Sequence, residues 1–131
     1  MKTIIVDDEL WAVKQLETAF SGRPGIELAG TFRDGESALE YAKVNPVGFA
    51  LLDVRMAGMS GIELGRELRR LYPDIIIVYV SSYPEYFSDA YRDVRADYYI
   101  LKPYCDEDVN DVLERVELLS RRQKKRVQVR T

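Results

Sequence analysis

Ile75-Ile76-Ile77-Val78-Tyr79-Val80 is the stretch that decides the fold. It is continuous, apolar and largely β-branched, the pattern of a strand buried on both faces. Such a strand belongs inside a parallel sheet covered by helices. Working outward, residues 48–52 are a second strand apolar on both faces, residues 2–6 read as a buried strand, and residues 97–101 as a further strand. Residues 26–32 alternate as one more strand. Helical patterns fill the gaps. Residues 9–21 carry Leu10, Val13, Leu16 or Glu17, and Phe20 on one face, with Gly22 closing the helix. Asp34 is placed to cap a helix that runs to about Lys43 and breaks before Pro46. A helix after Gly61 shows a stripe of Leu64, Leu68 and Leu71 and stops at Pro73. Residues 84–93 predict a short helix. A long amphipathic one follows residue 101, with Val109, Val112, Leu113, Val116 and Leu119 inward.

Five alternating βα units predict an α/β fold: a doubly wound five-stranded parallel sheet with helices on both faces. In the flavodoxin-like order 2-1-3-4-5, the first and third strands are neighbours at the topological switch point, where open sheets bind ligands.

Composition narrows the function. The chain has 131 residues, enough for one domain with a core of its own. One cysteine, Cys105, excludes an internal disulfide; it is expected to be an ordinary buried or half-buried thiol. The absence of histidine excludes Ser-His-Asp and Cys-His catalysis and imidazole zinc sites. No apolar run reaches a membrane span of roughly 18 residues, and Met1-Lys2-Thr3 enters a strand directly. A soluble cytoplasmic protein without membrane contact is the expectation. The first 120 residues carry 13 basic and 22 acidic side chains, net −9, and the last eleven carry six basic and no acidic ones. An acidic body is a poor nucleic-acid binder. The run Arg121-Arg122-Gln123-Lys124-Lys125-Arg126 reads as a solvated helix end leading into a linker, with phosphate contact as the sharper alternative. Residues 126–131 alternate like a strand that has lost its partners, which reads as a disordered terminus or as the first strand of a further domain.

The chemistry sits at strand ends. Asp7 and Asp8 follow the first strand, Asp53 the third, Ser81 the fourth and Lys102 the fifth. Three carboxylates in one crevice repel each other, and a divalent cation relieves that. The donors are hard oxygens, which favours Mg²⁺ over Zn²⁺. One carboxylate can then attack phosphorus to give an acyl phosphate. Lys102 and Mg²⁺ can neutralise the transition-state charge, and Ser81 can hydrogen-bond a phosphate oxygen. Singly, each residue has a plain structural reading as helix cap, solvated lysine or turn serine. The coincidence of all of them favours the functional one. The loop from Gly58 to Gly61 lacks the Lys-Ser/Thr signature of a P-loop, so no nucleotide is expected.

Four pieces together resemble the receiver domain of two-component response regulators, the CheY-like family. They are Ile4-Ile5-Val6-Asp7-Asp8-Glu9, Leu51-Leu52-Asp53 through Ile62-Glu63-Leu64, Val80-Ser81-Ser82, and Tyr99-Ile100-Leu101-Lys102-Pro103. The resemblance covers residues 1–120; residues 121–131 would be a basic linker or the start of a truncated effector domain. It implies that Asp53 is the phosphoacceptor. Asp8 would ligate Mg²⁺ directly, Asp7 through water, and the Arg55 backbone carbonyl would add a ligand. Lys102 would contact the phosphoryl group next to a cis Lys102-Pro103 bond. Ser81 and Tyr99 would be the switch residues. Two departures are visible. Ala57 replaces the usual proline four residues after the acceptor, which loosens the loop without removing a ligand. Ser81 replaces the commoner threonine and keeps the hydroxyl.

The resemblance further implies a phosphohistidine donor on a sensor histidine kinase or phosphotransfer protein. It implies an output face of helix four, strand five and helix five, which could also pair two copies. It implies the N-terminal part of a transcription regulator, touching DNA only through a C-terminal effector. The domain would catalyse its own phosphorylation and dephosphorylation without being a turnover enzyme. A stand-alone phosphoryl shuttle and an aspartyl-phosphate phosphatase remain as rivals. The second usually wants an Asp two residues after the nucleophile, where this chain has Arg55. Arg55 and Tyr83, each two residues past a site residue, are expected to shield the acyl phosphate. Tyr98 and Tyr99 alternate, one toward the core and one toward solvent. Trp11 is expected on the surface, and Ser60 in a loop.

Overall fold

The computed structural model describes the backbone of residues 1–130 and side chains as far as Arg126. Five parallel strands, β1 (Lys2–Val6), β2 (Glu27–Phe32), β3 (Phe49–Leu52), β4 (Ile76–Ser81) and β5 (Tyr98–Leu101), form one sheet in the order β2-β1-β3-β4-β5. The expected doubly wound α/β architecture is therefore present. Helices α1 (Leu10–Phe20) and α5 (Asp106–Arg130) cover one face. Helices α2 (Gly35–Val44) and α3 (Gly61–Leu71) cover the other, with a segmented helix over residues 84–94, here α4. Each face has its own core. Ile5, Leu51, Val78 and Val80 meet Val13, Leu16, Phe20, Val109, Val112 and Val116 on one side. Ile4, Val6, Leu52, Ile77 and Tyr79 meet Ala38, Leu64, Leu68 and Val94 on the other. All six residues of β4 are buried, as its unbroken apolar run requires.

Capping agrees with the local chemistry. Asp34 Oδ1 accepts from Ser37 N at 2.7 Å and so starts α2. Ser60, expected in a loop, caps α3 by accepting from Glu63 N at 3.2 Å. Other details differ from the sequence reading. Leu10 is 51% exposed and Leu71 39% exposed. Ala12 takes the inward place on α1, and α3 turns Ile62, Leu64 and Leu68 inward. α4 is not a regular helix. It opens as a 3₁₀ turn (Pro84–Tyr86), passes one α turn (Phe87–Asp89) and closes as a π turn (Ala90–Val94), with Arg95 left-handed at φ 56°. Only Ala90 and Val94 of it are buried. Cys105 is exposed, because it lies in the loop before α5 with its N–H on Asp108. Tyr98 and Tyr99 are both half-buried, each against a different core, because helices cover both sides of β5. Trp11 is on the surface, 60% exposed.

Residues 126–130 form neither the strand nor the disordered terminus read from the sequence: the α5 backbone stays helical to Arg130, and Thr131 lies outside the described residues. Basic residues continue a helix here, since nothing in Lys124-Lys125-Arg126 breaks it. The body also holds this extension. Gln123 Nε2 donates to the Asp74 carbonyl at 2.6 Å, and Arg126 pairs with the Asp74 carboxylate at 3.3 Å.

Two contacts fix the layer under the site. Tyr79 reaches through the core so that its hydroxyl donates to the Gly61 carbonyl at 2.8 Å. Gly65 faces the same hydroxyl: a Cβ there would sit 2.1 Å from it and 2.9 Å from Val94 Cγ1. Gly61 is tighter still. A Cβ on it would lie 1.7 Å from the Asp53 carbonyl oxygen, so α3 can press on the end of β3 only through a glycine. Elsewhere, Arg69 ties three elements together. It donates to the carbonyls of Val94 at 3.2 Å, Arg95 at 3.0 Å and Pro73 at 3.2 Å, and pairs with Asp97 at 3.6 Å.

Gly61→Ala is expected to destabilise the domain by about 3 kcal/mol, because backbone has to move to admit the methyl group. Gly48→Ala crowds the flexible Met1 side chain at 3.0 Å, with the Lys2 carbonyl at an ordinary 3.8 Å, and should cost less than about 1 kcal/mol. Urea unfolding followed by far-UV circular dichroism would measure both; equal losses would contradict this account of α3 docking.

Candidate functional site

The sheet ladder itself delivers the functional side chains. Beyond the last regular pair of each strand, one more hydrogen bond forms. Asp7 N donates to the Phe32 carbonyl at 3.0 Å, Asp53 N to that of Val6 at 2.9 Å, and Lys102 N to that of Ser81 at 2.8 Å. Three polar residues are thereby held in register at one edge of the sheet. The Lys102-Pro103 peptide is cis.

There the carboxylates converge. Asp7, Asp8 and Asp53 each offer an oxygen within 4.8 Å of the others. Asp7 is buried, 1% exposed; one of its oxygens accepts from Glu9 N at 3.0 Å and the other from Lys102 Nζ at 2.7 Å. Asp53 is 8% exposed; its Oδ1 accepts from Val54 N at 2.9 Å and stands 3.8 Å from Lys102 Nζ. One ammonium thus faces two buried carboxylates, with Asp8 half-buried beside them. Burial, then the Asp7 charge, pushes the Asp53 carboxyl up to about 6, while Lys102 pulls the other way. The site opens into a cleft of about 820 Å³ whose wall includes Asp8, Asp53, Arg55, Tyr83 and Lys102.

Arg55 and Tyr83 meet across this cleft, the guanidinium carbon 4.8 Å from the ring centre. Ser81 is fully buried, and its hydroxyl accepts from Tyr83 N at 3.0 Å. The Tyr99 hydroxyl donates to the Tyr83 carbonyl. Its ring packs edge-on to Phe87 at 5.6 Å and lies 6.1 Å from the Tyr79 ring. Burial pushes the Tyr99 phenol up, with Ser81 acting in the opposite sense. Every residue singled out from the sequence for the site therefore lies at this edge or against it. The reading of the sequence quoted Glu9 in its motif but assigned no role to this residue, which holds Asp7 through its N–H and Trp11 through its carboxylate. It also missed Tyr104, whose hydroxyl is buried without a hydrogen-bond partner among the described residues. Burial and the Asp7 charge push that phenol to about 12.

An acidic pocket lies at the strand ends of a 2-1-3-4-5 sheet, and comparison with known proteins gives its class. The response regulator receiver domain family matches residues 3–116, and the chain belongs to that family. It is the receiver domain of a two-component response regulator. Transcriptional regulatory protein YpdB of Escherichia coli (strain K12) is 30% identical over 117 residues, which cover 89% of this chain and 48% of that protein. The response regulatory domain of protein mrkE from Klebsiella pneumoniae superposes with a TM-score of 0.81 at 26% identity, covering 95% of this chain and 99% of that one. Response regulator protein TrrA from Thermotoga maritima, solved in complex with Mg(2+)-BeF, gives 0.76 at 26% identity, with 88% and 97% covered. The chain spans about half the length of the curated relatives it matches.

The raised Asp53 pKa makes a signed prediction. A folded value near 6 against an ordinary 3.8 means that the fold favours the protonated form. That stability is fully present below about 3.8 and is lost as pH rises through 6. In EDTA, Asp53→Asn should therefore exceed wild type in stability by about 1–2 kcal/mol at pH 7, allowing for solvent screening. The two should converge by about pH 4. Urea titrations at several pH values would show it; a difference independent of pH would contradict the assigned cause.

Proposed function

We propose that Asp53 accepts a phosphoryl group from a phosphohistidine on a sensor histidine kinase or phosphotransfer protein, with Mg²⁺ as cofactor. The observation that carries this reading is the convergence of three carboxylates at the sheet edge, two of them facing the Lys102 ammonium. The donor set fits a hard divalent cation: it is all oxygen, and burial together with the neighbouring Asp7 charge disfavours the bare Asp53 carboxylate. Asp8 and Asp53 would ligate Mg²⁺ directly, Asp7 through water, and the Arg55 backbone carbonyl would complete the protein ligands. Bound there, Mg²⁺ supplies positive charge to the phosphoryl oxygens.

The remaining work falls to the chain. An Asp53 oxygen attacks phosphorus in line, forming the O–P bond as the P–N bond to the donor imidazole breaks. Lys102, 12% exposed at its side chain and already 3.8 Å from Asp53, turns from Asp7 to the new phosphoryl oxygens. The product adds roughly −1.5 to −2 charge and three acceptor oxygens. Ser81 exchanges the Tyr83 N–H for a phosphoryl oxygen, and Tyr99, bonded to the Tyr83 carbonyl, follows. This biases a two-state equilibrium. The Arg55–Tyr83 pair screens the acyl phosphate from in-line water and sets its lifetime. The domain catalyses its own phosphorylation and dephosphorylation and is not a turnover enzyme.

Output through α4, β5 and α5 is supported by the apolar side chains exposed there: Phe87, Tyr91 and Leu101. This face would also pair two copies. Residues 1–120 form the receiver, and 121–131 lead toward an effector. The relatives' greater length and their names as transcriptional regulatory proteins favour a DNA-binding effector. Among the described residues no helix is long and apolar enough to cross a membrane, which is compatible with the cytoplasmic location expected of such a regulator.

Incubation with acetyl phosphate and Mg²⁺, read by intact mass, should give a single phosphoryl adduct that Asp53→Ala abolishes. Lys102→Ala should slow its formation by about 10²-fold. An adduct that persists in Asp53→Ala would refute the assignment. Arg55→Ala and Tyr83→Ala should each speed adduct loss severalfold in a phosphate-release assay; unchanged rates would remove the shielding role.

A further inference from the structure

Asp53 is fixed by the β3 ladder, but the loop after it is not. Among the described residues, the backbone of residues 55–59 makes a single hydrogen bond to another element: Met59 N donates to Glu36 Oε1 at 2.9 Å, across 23 positions of sequence. Val54 N is held by Asp53 itself, and Ser60 already belongs to the cap of α3. Ala57 lies between these fixed points. Alanine leaves its own φ free, so order in the loop has to come from contacts.

The contact with α2 is built from both sides. Gly58 has φ +76°, and a Cβ there would come within 2.8 Å of Glu36 Oε1. On the helix, Gly35 is buried, and a Cβ on it would meet the Met59 side chain at 3.1 Å. A glycine on each element lets the loop press against the first turn of α2. A carboxylate at that position is favoured by the helix dipole, and its bond to the amide is charge-assisted.

Resting on the reading of the pocket as a Mg²⁺ site, we infer that Glu36 is a positioning residue: by holding the Met59 amide it fixes the β3–α3 loop, and with it the Arg55 carbonyl. Glu36 is exposed and outside both cores, so its task is local order, not global stability. Preorganisation of this loop lowers the entropy lost when a cation orders the carbonyl.

The test compares Glu36→Ala with Glu36→Gln. Both lose the charge, but glutamine keeps an oxygen that can accept the same bond. Hydrogen exchange of the Met59 amide in the cation-free protein should rise about tenfold in the alanine variant and stay near wild type in the glutamine variant. Mg²⁺ affinity by calorimetry should fall about threefold to tenfold with alanine and clearly less with glutamine. The urea midpoint should hold in both. Unchanged Met59 exchange in Glu36→Ala overturns the proposal. Equal loss of Mg²⁺ affinity in the two variants also overturns it, since charge alone would then explain the loss. If the wild type takes up no Mg²⁺, the cation reading of the pocket fails instead, and the exchange comparison still decides whether Glu36 holds the loop.

Discussion

One ammonium set among three carboxylates is the constraint on which this structure turns. Lys102 reaches Asp7 at 2.7 Å and Asp53 at 3.8 Å, and Asp8 stands beside them. Like charges taken out of water at this spacing repel strongly, and a single cation does not offset them. The fold keeps them together through backbone bonds that the side chains cannot relax. Asp7, Asp53 and Lys102 each extend a ladder by one residue, so moving any of them means breaking sheet. Burial first, and then the Asp7 charge, shows in the raised Asp53 pKa.

Rigidity is unevenly shared. β4 is buried along its whole length, and α1 and α5 close a continuous core over one face. Beside Ser81 and Tyr99, by contrast, α4 changes helical type twice in 11 residues and buries only Ala90 and Val94. Few buried apolar contacts mean a low local cost of rearrangement. Arg69 pins the far end of that segment through the carbonyls of Val94 and Arg95. The compliant part is therefore the stretch nearest the charged pocket, between a rigid strand and a guanidinium staple.

How much of this was legible follows from the range of the interactions. Strand ends, Asp34 as a cap and the polar residues of the pocket could be read because apolar runs and turn chemistry are local signals. Leu10 and Leu71 could not be assigned correctly, because a stripe fixes a helix face but not how far the sheet extends beneath it. The break-up of α4 was not placed by the sequence: residues 84–93 (Pro, two Tyr, Phe, Ser and two Asp among them) are mostly weak helix formers, but weak propensity does not say which turn becomes 3₁₀ or π. Val127-Gln128-Val129 alternates like a strand, yet the helix before it simply runs on. The contacts of Glu36, Gly61 and Tyr79 were not legible for one reason. Their partners, Met59, Asp53 and Gly61, are 23, eight and 18 positions away, and only the folded chain brings them within reach.

The phenol of Tyr79 between Gly61 and Gly65 also constrains the routes by which such a sequence can evolve. A methyl group at position 65 collides with the Tyr79 oxygen at 2.1 Å and crowds Val94, but lies 3.3 Å from the ring carbon that bears that oxygen. Phenylalanine at 79 therefore has to arrive before alanine at 65, with some give at 94, and the reverse order passes through an unfit intermediate. Position 61 has no such detour, because its obstacle is main chain and no neighbouring substitution removes it. Two glycines one helical turn apart thus differ in kind: the first is permanently fixed by backbone, the second only by the history of a side chain opposite.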